Sequence, residues 1–382
     1  MELMMRIPDL TSEKEVACAW SAIVEPGDVA AGVLREQMGS ADALEWLLTQ
    51  PDVEKLSPQI LFDEEGRERP WVKALKRWLP RVEDLDVQRD LDALARVEGT
   101  VLWPEHPAWP EGLNDLGLEA PAALWVRGEL KAMPRVAIVG ARASSSHGNS
   151  VARDVAFELA RKGVCVVSGG AFGIDAAAHV GALKVGQTVA VMAGGVSYLY
   201  PASHAGLFEQ IELSGAIVAE CPPDWRPARW RFLSRNRLIA ALSQASVVVE
   251  ASARSGALVT IRRAREMGRP VGAFPGSVSS QMSAGCNEAI REGVTLVTGV
   301  EDILELMSGI GDFLFDMPEG KKPRLDADVQ RVFDALPAKG SATVRWVARA
   351  AGLGVDEVEQ GMTTLLLKKL VTCEGDAFAR CR

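Results

Sequence analysis

The spacing of apolar positions divides this chain into segments. Over residues 1–85 apolar side chains recur at i, i+3 and i+4, most clearly in 41–50 and 69–79, the mark of one-sided helices. Breaks fall at Pro26-Gly27, Gly39, Pro51 and Pro58. The pattern predicts a small bundle of short helices with Trp46, Trp71 and Trp78 in its core. A Pro/Trp-rich stretch follows (Trp103, Pro104, Pro107, Trp109, Pro110, Pro121) and reads as irregular chain, with a short edge strand at 123–130.

From residue 135 the period alternates. Short β-branched runs at 135–140, 164–170, 188–195, 216–220, 246–251, 270–274 and 294–298 are interleaved with amphipathic stretches at 147–162, 173–185, 203–213, 231–243, 257–267 and 300–307. Strands alternating with helices predict an α/β domain, a doubly wound parallel sheet of Rossmann-like type. Continuously apolar strands fit burial on both faces. The last segment reads helix (329–336), helix (343–352), helix (355–370), hairpin (371–380), the order of a winged helix-turn-helix. The expected domains are a helical one at 1–85, an extended Rossmann-like one at 86–310, a linker at 311–324 and a winged helix at 325–382.

Bulk properties narrow the function classes. The net charge of −9 argues mildly against a polyanion partner. Six cysteines are scattered with no C-x-x-C pair, so neither a zinc site nor a redox dithiol is expected. Cys165 and Cys221 sit in or just after apolar runs, where a reduced thiol packs as a small hydrophobe. With no leader-like N-terminus and no apolar run long enough to span a bilayer, the expected location is the cytoplasm, with no membrane partner.

In open α/β sheets ligands bind beyond the carboxyl ends of the strands. The loops there are 140–148 (Gly-Ala-Arg-Ala-Ser-Ser-Ser-His-Gly), 168–175 (Ser-Gly-Gly-Ala-Phe-Gly-Ile-Asp) and 194–198 (Gly-Gly-Val-Ser-Tyr). Such loops gather free backbone N–H groups and helix N-termini, an expected anion site, with Arg142 adding a charge. Neither a dinucleotide G-x-G-x-x-G nor a P-loop is present.

The charge distribution reverses the bulk reading. Between Trp225 and Ala273 lie ten arginines opposed only by Glu250 and Glu266, a balance of +8 in a chain of −9. Trp225, Trp230 and Phe232 are interleaved with them. Arginines beside aromatics suit single-stranded nucleic acid, whose backbone needs cations and whose bases need flat surfaces. Catalytic constellations are thin: no metal-binding His spacing and no nucleophile elbow occur. Asp175 and His179 stand at i, i+4 and could pair. Glu220 and Glu250 end strands and are expected to order arginines. In the winged helix, Asp356, Glu357 and Glu359 crowd the helix end that would face bases, so protein contact or support is expected of that module rather than duplex reading.

Several strings resemble the DprA/Smf family of DNA-processing proteins. They are WPEGLNDLGLEAPAALWVRGEL, VAIVGARASSSHG, VVSGGAFGIDAAAH, YPASH, IVAECPPDWRPARWRFLSRNRLIAALS, VVVEASARSGALVT and GRPVGAFPGSVSSQMSAGCNEAIREG, in family order from Trp109 to Gly293. SGxAxGID and FxxRNRxIA are the most specific. The resemblance implies single-stranded DNA binding and loading of a RecA-type recombinase during natural transformation, by a homodimer joined through the Rossmann-like domain. It also implies a SAM-like N-terminal domain, and no catalysis, metal or cofactor. By motif match it implies DNA contacts from Gly140, Ala141, Arg142, Ser168, Gly169, Arg231, Phe232, Arg235, Asn236, Arg237, Ser255 and Gly256. Ala141, Ser197 and Ala202 depart from the Ser, Asp and nearby Lys common in the family. The rival reading is a nucleoside-monophosphate glycosidase resembling the lysine-decarboxylase-like family, with Glu220 or Glu250 as acid–base; that family's PGGxGTxxE string is absent.

Overall fold

A computed structural model describes residues 12–49, 70–308, 327–337, 340–368 and 370–380. The described residues up to 308 form one compact unit and those from 327 a second. The expected linker, Pro51, Pro58 and the Trp71 side chain fall outside this description.

The chain opens on helices α1 (Glu13–Ile23), α2 (Val29–Met38), α3 (Ser40–Leu48), α4 (Pro70–Glu83) and α5 (Val87–Ala95). Ser12 and Glu15 close a capping box on α1, and the Asp28 side chain caps α2. Trp20 and Trp78 meet edge to face at 6.1 Å, both buried; Trp46 is only partly buried.

Strand β1 (Thr100–Leu102) and a 3-10 helix (Glu111–Glu119) lead into β2 (Leu124–Gly128). The alternating region then gives β3 (Arg135–Val139), α6 (Ser146–Arg161), β4 (Cys165–Ser168), α7 (Ile174–Ala182), β5 (Thr188–Val191), α8 (Ala205–Ser214), β6 (Ala216–Ala219) and α9 (Arg229–Ala241). It ends with β7 (Ala245–Val248), α10 (Ala257–Glu266), β8 (Val271–Ala273), α11 (Ala284–Arg291), β9 (Thr295–Leu296) and α12 (Val300–Met307). The sheet order is β1-β2-β6-β5-β4-β3-β7-β8-β9. It is mostly rather than wholly parallel: β2 runs antiparallel to β6 and to β1. Residues 123–130 are therefore not the edge. Thr100–Leu102, too short to signal itself in the sequence, adds a strand outside them.

Successive side chains point to opposite faces. Ala137, Val139, Val167 and Val189 pack under the 3-10 helix, α9, α10 and α11. Val136, Ile138 and Val166 pack against α6, α7 and α12. On that second face, Trp125, Ile217 and Ala219 share a core with the N-terminal helices and α8. The helical segment expected as a separate domain is thus joined to the sheet: Trp125 Nε1–H donates to Ser21 Oγ (2.9 Å), which donates to the Glu220 carbonyl (2.6 Å).

The second unit contains α13 (Ala327–Ala335), β10 (Ala342–Thr343), α14 (Val344–Ala351), α15 (Val355–Leu367), β11 (Val371–Glu374) and β12 (Ala377–Arg380). Its core is Val332, Val347, Val358, Met362 and Leu365. The hairpin pairs as read, but β10 joins it to make a three-stranded sheet, β10-β12-β11. Among the described residues no helix is long and apolar enough to cross a membrane.

Candidate nucleic-acid interface

The carboxyl ends of the central strands open into a cleft of about 820 Å³. Helix α9 forms one wall, and the loops after β3, β4, β5 and β7 complete the rim. Of the residues expected at a site, Gly140, Arg142, Phe232, Arg235, Asn236, Ser255 and Gly256 line it. Arg142 is exposed, with its guanidinium 5.2 Å from the Phe232 ring centroid. Phe232 meets Tyr200 edge to face at 5.5 Å, and Tyr200 is itself half exposed. Asn236 Nδ2–H donates to the Gly256 carbonyl (3.2 Å), which ties the wall to the β7 loop. Ser255 Oγ accepts from the Ala257 N–H (3.3 Å).

Arg229 and Arg254 also line the cleft, exposed, and neither is among the residues implied by the family motifs. Their signal was positional: Arg229 opens α9 and Arg254 follows β7, both at the ligand end of the sheet. Among the described residues no ion pair reaches Arg142, Arg229 or Arg254. Tyr200 and Leu233 complete the aromatic and apolar lining.

Beneath the rim lies a buried cation. Arg235 is 5% exposed, and its Nη1 donates to the carbonyls of Gly169 (2.8 Å) and Val191. Burial draws its pKa down to about 10, against the pull of Asp175. Its Nε has no partner. Asp175 accepts N–H groups from Gly169 (3.1 Å) and Ala171 (3.4 Å); burial raises its pKa, opposed by Arg235 and these hydrogen bonds.

The remaining expected residues sit elsewhere. Ala141 is buried, its N–H donating to the Glu250 carbonyl (2.7 Å). Ser168 is buried with its Oγ donating to the Ile138 carbonyl (2.6 Å). Arg231 forms a bidentate pair with Glu25 (2.9 and 2.8 Å). Burial would raise the Glu25 pKa, but hydrogen bonds from Arg231, Arg81 and Trp230 outweigh it and hold it at about 2. Arg237, 1% exposed, forks onto Glu220 (2.8 and 2.7 Å) and the Glu119 carbonyl (2.8 Å). Arg263 pairs with Glu119 and Glu266, and Arg269 with Asp115 and several carbonyls. Much of the basic island is therefore structural. Its counter-charges come from distant segments, and the local +8 is not a free surface field.

The glycine loops need a similar correction, because several of their amides are already occupied. The second loop holds the Asp175 carboxylate. At the start of α6, Glu250 accepts from the Ser145 N–H (2.8 Å) and Oγ–H (2.5 Å), and Ser145 Oγ caps the Gly148 N–H. Glu250 thus orders a serine cap, not an arginine; Glu220 does order Arg237. In the third loop, Gly195 donates its N–H to the Trp225 carbonyl (2.8 Å). Asp175 and His179 are bound to different groups: His179 Nδ1 lies 2.7 Å from Thr188 Oγ1. Buried Cys165 and Cys221 have thiols pushed up to about 12 by burial, and pack as apolar groups. Among the described residues no three of His, Cys, Asp and Glu are grouped so as to hold a metal ion.

A family model described as DNA recombination-mediator protein A matches residues 100–308. A DprA-named protein of Mycobacterium tuberculosis (strain ATCC 25618 / H37Rv) is 42% identical over 313 residues, 77% of this chain and 78% of the relative. Protein Smf of Escherichia coli (strain K12) is 39% identical over 270 residues, 69% of this chain and 72% of its own. The X-ray structure of DNA processing protein A from Streptococcus pneumoniae aligns with a TM-score of 0.60 at 30% identity, over 77% of this chain and 97% of that one. A structure addressing the single-stranded DNA binding mode of DNA processing protein A from Helicobacter pylori aligns at 0.50 and 27% identity, over 55% and 94%. The model match and the shared lengths show that this chain belongs to the DNA recombination-mediator protein A family, the DprA/Smf proteins.

Proposed function

We propose that the cleft binds single-stranded DNA. The observation that carries this reading is a row of exposed, unpaired arginines (Arg142, Arg229, Arg254) beside the Phe232–Tyr200 pair. Phosphates meet the cations, with counterions released on binding. Unstacked bases meet the rings, a sequence-tolerant contact because every base has a flat face. The partly occupied glycine loops fit this division of labour. Their internal hydrogen bonds rigidify the rim, and the exposed arginines receive the backbone.

The cleft binds and does not catalyse. A nucleotide-processing enzyme would use Glu220 or Glu250 as its acid–base. The first is held by Arg237 and the second caps α6. Family membership supports the wider role: a cytoplasmic homodimer, joined through the Rossmann-like unit, that loads a RecA-type recombinase onto the strand during natural transformation. The N-terminal helices are read as SAM-like. The C-terminal unit is read as a winged helix serving protein contact or support.

The test is fluorescence anisotropy with labelled oligo-dT and a matched duplex across a salt series. Tight, salt-sensitive preference for the single strand supports the reading. Equal affinity for both forms overturns it, and base release from mononucleotides would install the enzyme reading instead.

A further inference from the structure

The chain has two tyrosines, and both lie on the loop after β5. Tyr200 faces the cleft. Tyr198 does not line it, yet is 39% exposed, with the Arg226 guanidinium 5.5 Å from its ring centroid. Arg226 is exposed, and among the described residues no carboxylate pairs with it; nearby Asp224 is held by Arg96 at 3.0 Å.

The two loops carrying this pair are interlocked. Gly195 N–H donates to the Trp225 carbonyl (2.8 Å) and Ser197 N–H to the Pro223 carbonyl (3.0 Å). A Cβ at Gly195 would lie 1.9 Å from the Pro222 oxygen, and one at Gly194 2.7 Å from the Pro227 nitrogen. Only glycine lets these backbones meet, so Tyr198 and Arg226 stand on a fixed base. Their chain neighbours Tyr200 and Pro227 form the cleft rim. Two Cα-to-Cα steps separate Tyr198 from Tyr200, at most about 7 Å.

We propose that Tyr198 and Arg226 form a second stacking platform immediately outside the cleft, which receives the strand as it leaves. A nucleotide needs one flat face for its base and one cation for its phosphate, and the pair supplies both. This rests on the cleft reading above. It extends the footprint past the cleft and fixes the side on which the strand exits.

The experiment is anisotropy on the full chain with a ladder of oligo-dT lengths, for wild type, Tyr198→Ala, Tyr198→Phe, Arg226→Ala and Phe232→Ala. For the shortest oligomers that bind, Tyr198→Ala should match wild type, which also establishes that it is folded. Beyond the length that leaves the cleft, its affinity should fall about five- to a hundredfold below wild type. Tyr198→Phe should restore it. Arg226→Ala should flatten the salt slope by about 0.7 on long strands alone. A Tyr198→Ala variant that tracks wild type at every length overturns the platform while leaving the cleft standing. Indifference of all lengths to Phe232→Ala, or no binding by wild type, overturns the cleft and the platform with it.

Discussion

Arg235 lies against the face of Gly169, and a Cβ at that glycine would sit 2.4 Å from Arg235 Nη2. The guanidinium cannot retreat without losing the Gly169 and Val191 carbonyls that hold it. Gly169→Ala is therefore expected to destabilise the protein by about 1–3 kcal/mol, the usual range for overpacking. Urea unfolding should show a lower midpoint with an unchanged slope. An alanine variant as stable as wild type would mean that Arg235 has room to move.

Arginines of one sequence run should divide into two kinds when replaced. Arg142→Ala should leave stability within about 0.5 kcal/mol, as for a surface substitution. It should weaken single-strand binding and flatten the salt dependence by about 0.7 in slope. Arg237→Ala should do the reverse, costing about 3–5 kcal/mol by stranding the Glu220 carboxylate in a buried site. Thermal melts beside a salt titration distinguish them; equal losses in both assays for both variants would remove the distinction.

Phe232→Ala removes the ring that Arg142 and Tyr200 meet. It should cost about 1–3 kcal/mol of single-strand affinity, the value of one base–aromatic stack. Phe232→Tyr should retain most of it. Affinity unchanged in the alanine variant would show that bases stack elsewhere.

His179 makes stability depend on pH. The Thr188 hydroxyl donates to the Val166 carbonyl (2.6 Å), so His179 Nδ1–H must donate to Thr188, leaving the buried Nε2 without a partner. Burial lowers the His179 pKa from 6.5 to about 3, helped by Arg235 and His204. Between these values the unfolded chain takes a proton that the folded one refuses. Stability therefore falls as pH drops through that window and is fully present above it. The loss should be blunted in His179→Gln, measured as the difference in melting temperature between neutral and mildly acidic buffer. A parallel fall in both proteins would assign the effect to other groups.

The strands and the place of the candidate cleft were legible because they follow from short-range rules. Buried parallel strands read as continuous apolar runs, and ligand loops follow their carboxyl ends. What the arginines do was not legible. Glu25 lies 206 residues from Arg231, and Glu119 lies 118 from Arg237. A local charge count sees neither. The internal hydrogen bonds of the glycine loops were hidden for a different reason. A glycine-rich turn looks the same whether its amides await a ligand or hold the protein's own Asp175 or Glu250, and only the fold decides which. The joining of the N-terminal helices to the sheet was hidden too, because their amphipathic pattern shows that a face is buried but not against what.

The Glu25–Arg231 pair has an evolutionary consequence. It fastens the helix that walls the cleft to the N-terminal segment, so those positions are not free to drift apart. In a relative that lacks the helices, or carries another residue at the equivalent of Glu25, Arg231 would be a stranded charge. Its position should then be neutral, or a new acid should have arisen nearby. Covariation of positions 25 and 231 across the family is the trace such a constraint would leave.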